Sequence, residues 1–254
     1  MKNYLTAVVF LLTLSTNALA WGPTGHRVTG WIAERHLSRK ARTALDKMLN
    51  GQSLAIASTW MDEVRSDSTY DHMIDWHWVT IPQGENYVSA DKNPKGDIIG
   101  TLERIIRELK TKGLDKSAQL ERVKILIHLI GDIHQPLHVS ALDDGGGNNE
   151  QVTWFGGHSN LHRVWDSDII DHTRLSYTEM AQSLGKPSPA DIRAWQAASV
   201  QEWARESQAH HAQVYDYDTG RLGYRYVYLN YPIIRHRLLQ AGVRLAGILN
   251  EIYG

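Results

Sequence analysis

Residues 123–133 read VKILIHLIGDI, a run that is apolar on nearly every face of a helix, and such a helix belongs in the middle of a protein core. The run nevertheless contains His128 and Asp132, four residues apart and therefore on one face. A desolvated carboxylate without partners costs on the order of several kcal/mol, so either a His–Asp hydrogen bond or a shared cation has to offset it. A lone pair at this spacing is as often a satisfied core histidine as a ligand pair. A third imidazole shifts that balance, because Pro136 kinks or ends the helix and brings His138 close by.

The arrangement recurs in NLHRVWD, where His162 and Asp166 again stand four apart among Leu, Val and Trp. Two such pairs in apolar surroundings point to a multi-metal site built from nitrogen and oxygen ligands between helices. Asp62, in TWMDEVR, and His77, in WHW, join the set only because the set exists. His172, His210, His211 and His236 sit among polar residues and are expected at the surface, whereas His134 and His158 are expected to support the ligands from behind.

With Lys+Arg 27 against Asp+Glu 28, the chain has no basic surface to serve as the main source of affinity for nucleic acid. With no cysteine it has no disulfide framework, no thiolate zinc site and no cysteine nucleophile. The first twenty residues read as a secretory signal peptide: Lys2 early, a short apolar run, and Ala18-Leu19-Ala20 as the cleavage site. Export without cysteines suggests a bacterial periplasmic or secreted protein. No repeat or linker interrupts the rest, so 21–254 is expected to form one domain. Helical periodicity covers 25–37, 38–49, 53–65, 96–112, 117–139, 188–214 and 232–253. Extended candidates are limited to 75–82 and 151–155, which predicts a mainly α domain with long loops and at most a short β-hairpin. The loop DDGGGNN, 143–149, allows close backbone approach to whatever lies beside it.

Cleavage after Ala20 makes Trp21 the new N-terminus, and a free α-amino group with a pKa near 8 can chelate a metal together with its own carbonyl oxygen. WG..GH from Trp21, then WMDEVR, WHWV, HLIGDIHQPLH, the glycine-rich loop and NLHRVWD, in this order and at these separations, resemble the zinc-dependent S1/P1 nuclease family. The resemblance runs from Trp21 to at least Asp166. It implies a helical domain with a trinuclear zinc cluster at the bottom of a cleft. Asp62, His77, His128 and Asp132 would hold one zinc, and His138, His162 and Asp166 a second. Trp21, His26 and Asp132 would hold the third, Asp132 bridging two ions. Three zinc dications against three carboxylates leave such a site formally positive, so a near-neutral chain can attract a phosphodiester.

The resemblance further implies metal-assisted hydrolysis of single-stranded DNA and RNA to 5′-phosphorylated products, with 3′-mononucleotides as additional substrates. Arg65, one turn after Asp62, would neutralise the phosphate in the transition state, making Asp62 and Arg65 the catalytic pair. Trp78 would stack a base and Asn148 contact base or phosphate. Thr80 stands where fungal and plant members place an Asp in the base pocket, which leaves base preference open. A monomer without a stable protein partner, and without membrane attachment after cleavage, is expected. Two other readings remain: a zinc phospholipase C, which cleaves a phosphodiester with similar ligands, and a non-catalytic zinc-binding protein. The nuclease motif wording argues against the first, and the lack of His-rich or acidic tracts against the second.

Overall fold

The computed structural model describes residues 21–111 and 113–254, so the signal-peptide reading lies outside the described residues. The fold is mainly helical. Its first part runs through α1 (Pro23–His36), α2 (Arg39–Met48), α3 (Leu54–Ala57), α4 (Trp60–Glu63), β1 (Val79–Thr80), α5 (Ile98–Lys110), α6 (Lys116–Asp132) and β2 (Val139–Ser140). Its second part contains β3 (Gln151–Trp154), β4 (Gly157–Asn160), α7 (Leu161–Arg163), α8 (Ile169–His172), α9 (Tyr177–Ser183), α10 (Pro189–Ala197), α11 (Val200–Gln208), α12 (His211–Val214), β5 (Arg221–Leu222) and α13 (Tyr224–Tyr253). The α13 helix packs against α1, α2, α6 and α10, while α5 packs on α6.

Where helices stop matters more here than where they run. Asp115 caps α6 by accepting from Ala118 N, and the helix ends at Asp132 rather than at residue 139. Pro136 has no N–H to continue it, and the chain instead makes a 3-10 turn, Pro136–His138, that presents His138. The helix expected over 53–65 is broken between α3 and α4. There Ser58 Oγ donates to Ala55 O (2.7 Å) and Thr59 Oγ1 to Ile56 O (3.1 Å), local bonds that compete with the helix. The span 188–214 divides into three helices, with Ser188 and Ser199 capping the first two. Conversely α13 starts eight residues before Pro232 and passes through it, the ring sitting on the exposed side.

The extended reading of 75–82 is corrected to a 3-10 segment, Ser68–His77, followed by the two residues of β1. β1 pairs in parallel with β2, Val79 opposite Val139. β3 and β4 form the antiparallel hairpin, and β5 adds in parallel to β3. Two apolar clusters make the core: one contains the inner faces of α5 and α6, and the other Trp21, Val28, Ile32 and the 161–170 segment. The polar cluster described next draws its side chains from both. Among the described residues, no helix is long and apolar enough to cross a membrane.

Candidate metal centre and its cleft

Burial of the apolar face of α6 carries His128 and Asp132 to complete inaccessibility, as the apolar run requires. Asp132 is surrounded by three imidazoles, two from other elements and one from its own helix: His26 Nε2 at 3.2 Å from Oδ1, His77 Nδ1 at 2.9 Å and His128 Nε2 at 3.3 Å from Oδ2. Asp62, at the end of the first turn of α4, puts Oδ1 3.9 Å from His128 Nε2. The second cluster consists of Asp166 with His162 Nε2 at 3.0 Å and His138 Nε2 at 3.6 Å. Three groups therefore have donor atoms close enough to share an ion: His26–Asp62–His128, His77–His128–Asp132 and His138–His162–Asp166. Asp132 lies beside the first group and within the second, and a π-helical turn, Val164–Asp168, carries Asp166.

The imidazoles are held by main-chain carbonyls. His128 Nδ1 donates to Ser58 O (2.7 Å), His138 Nδ1 to His77 O (2.7 Å) and His162 Nδ1 to Gly146 O (2.6 Å). Each bond engages Nδ1, orients the ring and leaves Nε2 aimed into the cluster. Those Nε2 atoms, both nitrogens of His26, Asp132 Oδ1 and Asp166 Oδ2 are buried without a partner in hydrogen-bonding geometry. So many orphaned acceptors at one place fit a set of cations, and an all-nitrogen-and-oxygen donor set of imidazole and carboxylate suits zinc.

Charge in the cluster points the same way. Burial opposes ionisation of Asp132 and Asp166, yet the facing imidazoles hold Asp132 well below, and Asp166 below, the usual carboxylate range. Burial likewise opposes protonation of His138, but Asp166 and Asp132 raise it to about 9, and Asp132 with Asp62 raises His128. His77, where burial wins, is pushed down to about 4. The carboxylates draw positive charge into the core.

Two glycines make the approach possible. A Cβ on Gly131 would lie 2.9 Å from His26 Nδ1, so this position of α6 has to be bare for His26 to reach Asp132. Gly146, with φ +64°, would drive a Cβ into Leu137 O, and its own carbonyl is the acceptor for His162. Trp21 is fully buried, packing over Gly25 and near Gly131, and Gly22 N donates to Asp166 O (2.8 Å).

A cleft of about 320 Å³ opens beside the cluster, lined by Arg65, Ile74, His77, Trp78, Thr80, Leu137, His138, Ser140, Gly145, Gly146, Asn148 and His162. Arg65 lies in the 3-10 turn just past α4, its Nε 3.3 Å from Asp62 Oδ1. Trp78 remains 37% exposed on the wall, and among the described residues no carboxylate lines the cavity. Asn148 Nδ2 donates to Gly145 O (2.7 Å), which leaves its side-chain oxygen as an acceptor and its second N–H as a donor.

Some histidines fall elsewhere. His134 is buried but supports no ligand: Nδ1 donates to Ile130 O and Nε2 accepts from Arg244 Nη1 (2.9 Å), a residue too distant in sequence to foresee. His158 is exposed on β4. His172 is partly buried against the Phe155 ring, and His211 donates to Pro136 O. Gln135, which bonds to Asp166 at 2.6 Å, and the three carbonyl acceptors escaped the sequence reading; the only signal for Gln135 is its place before Pro136.

A single helical domain that brings His and Asp groups from several helices together at the floor of a cleft has the architecture of a protein that could hold metal ions beside a bound ligand. Comparison with known proteins supplies the family: the S1/P1 nuclease family model matches residues 21–254, and the chain belongs to that family. It is 28% identical to Endonuclease 4 of Arabidopsis thaliana, covering 100% of this chain and 96% of the relative. It is 28% identical to Nuclease S1 of Aspergillus oryzae over 66% of this chain and 60% of the relative, and 29% identical to Nuclease P1 of Penicillium citrinum over 71% and 66%. The protein is thus a nuclease, a phosphodiester hydrolase whose substrates are nucleic acids.

Proposed function

We propose that the protein is a zinc-dependent endonuclease that cleaves single-stranded DNA and RNA to 5′-phosphorylated products and also removes phosphate from 3′-mononucleotides. The observation that carries this reading is the convergence of unpartnered buried imidazole nitrogens and carboxylate oxygens at the floor of the cleft of a family nuclease. Asp62, His77, His128 and Asp132 would hold one zinc, His138, His162 and Asp166 a second, and Trp21, His26 and Asp132 a third. When bound, the ions supply Lewis acidity toward the phosphate and lower the pKa of a water.

The chain's own groups do the remainder. Arg65, on the cleft wall beside Asp62, donates to a phosphate oxygen and offsets charge as it accumulates. Leu137 and Ile74 give the cleft wall apolar surface. The exposed ring of Trp78 stacks a base, worth about 1–3 kcal/mol. The side-chain amide of Asn148, with an acceptor oxygen and one remaining N–H, contacts base or phosphate. A phosphate at a cleft floor is out of reach within a stacked duplex, which favours single strands. With Thr80 on the wall and no carboxylate, base selectivity is low.

The ligand role of Trp21 requires removal of residues 1–20, by which the protein is exported to a bacterial periplasm or medium as a monomer of one domain, 21–254. The start of the family match at residue 21 supports the processed N-terminus, and the bond from Gly22 N to Asp166 O supports a place for Trp21 beside the second cluster. The deciding experiment digests single-stranded DNA and RNA with processed protein, with chelator and with zinc restored, and reads product ends by mass spectrometry. Chelator-sensitive, zinc-restored release of 5′-phosphorylated products is expected, with Arg65→Ala retaining zinc but losing hydrolysis. No cleavage by protein holding three zincs refutes the reading, and phosphatidylcholine as substrate then separates a phospholipase C from a non-catalytic zinc-binding protein.

A further inference from the structure

One buried amide joins a proposed ligand to the turn that carries another. Gln135 is fully buried; its Nε2 donates to Asp166 Oδ1 (2.6 Å) and its Oε1 accepts from Leu137 N (2.5 Å). A carboxylate only accepts and a main-chain N–H only donates, so these two partners fix which way the amide points. Gln135 is also the N-cap of the 3-10 turn Pro136–His138, so the side chain that grips Asp166 starts the turn that presents His138. With Oδ1 engaged, Asp166 keeps Oδ2, which has no hydrogen-bond partner and lies 3.0 Å from His162 Nε2. Around Asp132 the close partners are imidazoles instead, so the influence of Gln135 is confined to the His138–His162–Asp166 group.

We propose that Gln135 is a positioning residue for the ion at that group: by holding Oδ1 it presents Oδ2 as a single pre-aimed ligand oxygen and sets how tightly one of the three ions is kept. This rests on the metal-binding reading above. Supporting hydrogen bonds of this kind change metal affinity by about 10–100-fold in other sites. Without the amide, Asp166 can rotate, and each orientation that turns Oδ2 away competes with ligation.

The test measures zinc per protein by mass spectrometry after equilibration at stepped free zinc. Wild type is compared with Gln135→Asn and Gln135→Met, and folding is checked by near-UV circular dichroism. Asparagine is a favoured N-cap, so Gln135→Asn keeps the bond to Leu137 N, but it is one methylene too short to reach Asp166. Gln135→Met loses both bonds. In both variants one zinc of three should bind about 10–100-fold more weakly, the other two being unchanged, and activity should return when free zinc is raised. In an Asp166→Ala background, where the acceptor is gone, Gln135→Asn should have no further effect. If Gln135→Met does not fold, the Asn variant still decides. Wild-type zinc affinity at all three places in Gln135→Asn overturns the proposal, as does a loss spread over all three. Wild type that fails to bind three zincs overturns the metal reading instead, and the two failures are told apart by the wild-type titration alone.

Discussion

Gly145 and Gly146 share the same φ, +64°, and differ in what a side chain would meet, which makes alanine at each a controlled pair. An alanine in this left-handed conformation costs about 1–2 kcal/mol wherever it stands. At Gly145 the nearest atom to the new Cβ is Asn148 Cβ at 3.5 Å, an ordinary contact, so Gly145→Ala should cost no more than that. At Gly146 the new Cβ overlaps Leu137 O, a main-chain atom one residue before His138 that cannot swing aside. The loop must move, and Gly146 O moves away from His162 Nδ1, leaving a buried N–H unpaired at about 1–3 kcal/mol. Gly146→Ala should therefore lose about 2–5 kcal/mol in urea unfolding, roughly 1–3 beyond Gly145→Ala. It should also bind zinc more weakly, because His162 no longer has its orienting acceptor. Equal destabilisation of the two variants, or undiminished zinc affinity in Gly146→Ala, would refute the coupling of loop to ligand.

Arg244→Met should destabilise by about 3–5 kcal/mol in the same urea assay, since it removes a buried guanidinium that bonds both Glu206 oxygens and His134 Nε2. His210 is pushed from 6.5 down to about 4, chiefly by burial and then by Arg237, so its neutral form stabilises the fold above pH 6.5 and that stability is lost as pH falls toward 4. The full shift corresponds to about 3 kcal/mol at most, reduced to roughly 1 by solvent around a half-buried ring; His210→Gln should flatten this part of the stability–pH curve measured by denaturant melts, and an unchanged slope would contradict it. Trp78→Ala should raise KM for single-stranded oligonucleotides about 5–150-fold with little change in kcat, as expected for lost base stacking, and an effect on kcat alone would place Trp78 outside base binding.

What could be read from the sequence follows a physical divide. His128 and Asp132 were legible because burial is written locally: an apolar run with two polar residues at helical spacing has to put them in the core together. The second pair, His162 and Asp166, was legible for the same reason, although the π turn beneath Asp166 was not. The helix break at Ser58 and Thr59 escaped notice because it depends on hydroxyls bonding back to Ala55 and Ile56, a choice the helical periodicity does not encode. Carbonyl acceptors escaped for a deeper reason, since every residue has one and only the tertiary fold decides which faces an imidazole. His134 illustrates the converse. Its neighbourhood in sequence suggested a supporting role, and Arg244, arriving from α13, claimed its free nitrogen.

The places where regular structure fails are the places that build the site. The break after α3 frees Ser58 O to hold His128, the end of the 3-10 segment offers His77 O to His138, and the left-handed glycine turn offers Gly146 O to His162. A continuous helix would have bound the first of these carbonyls within itself, leaving the imidazole of His128 to rotate. Each interruption costs local hydrogen bonds, and each returns one oriented nitrogen to a cluster that is otherwise buried and unpaired. Because the orphaned atoms belong to segments from 26 to 166, an ion that satisfies them ties those segments together, so its binding energy becomes folding energy for the domain. The helices supply the burial that makes unpartnered donors costly, and the interruptions supply the aim that lets cations relieve that cost.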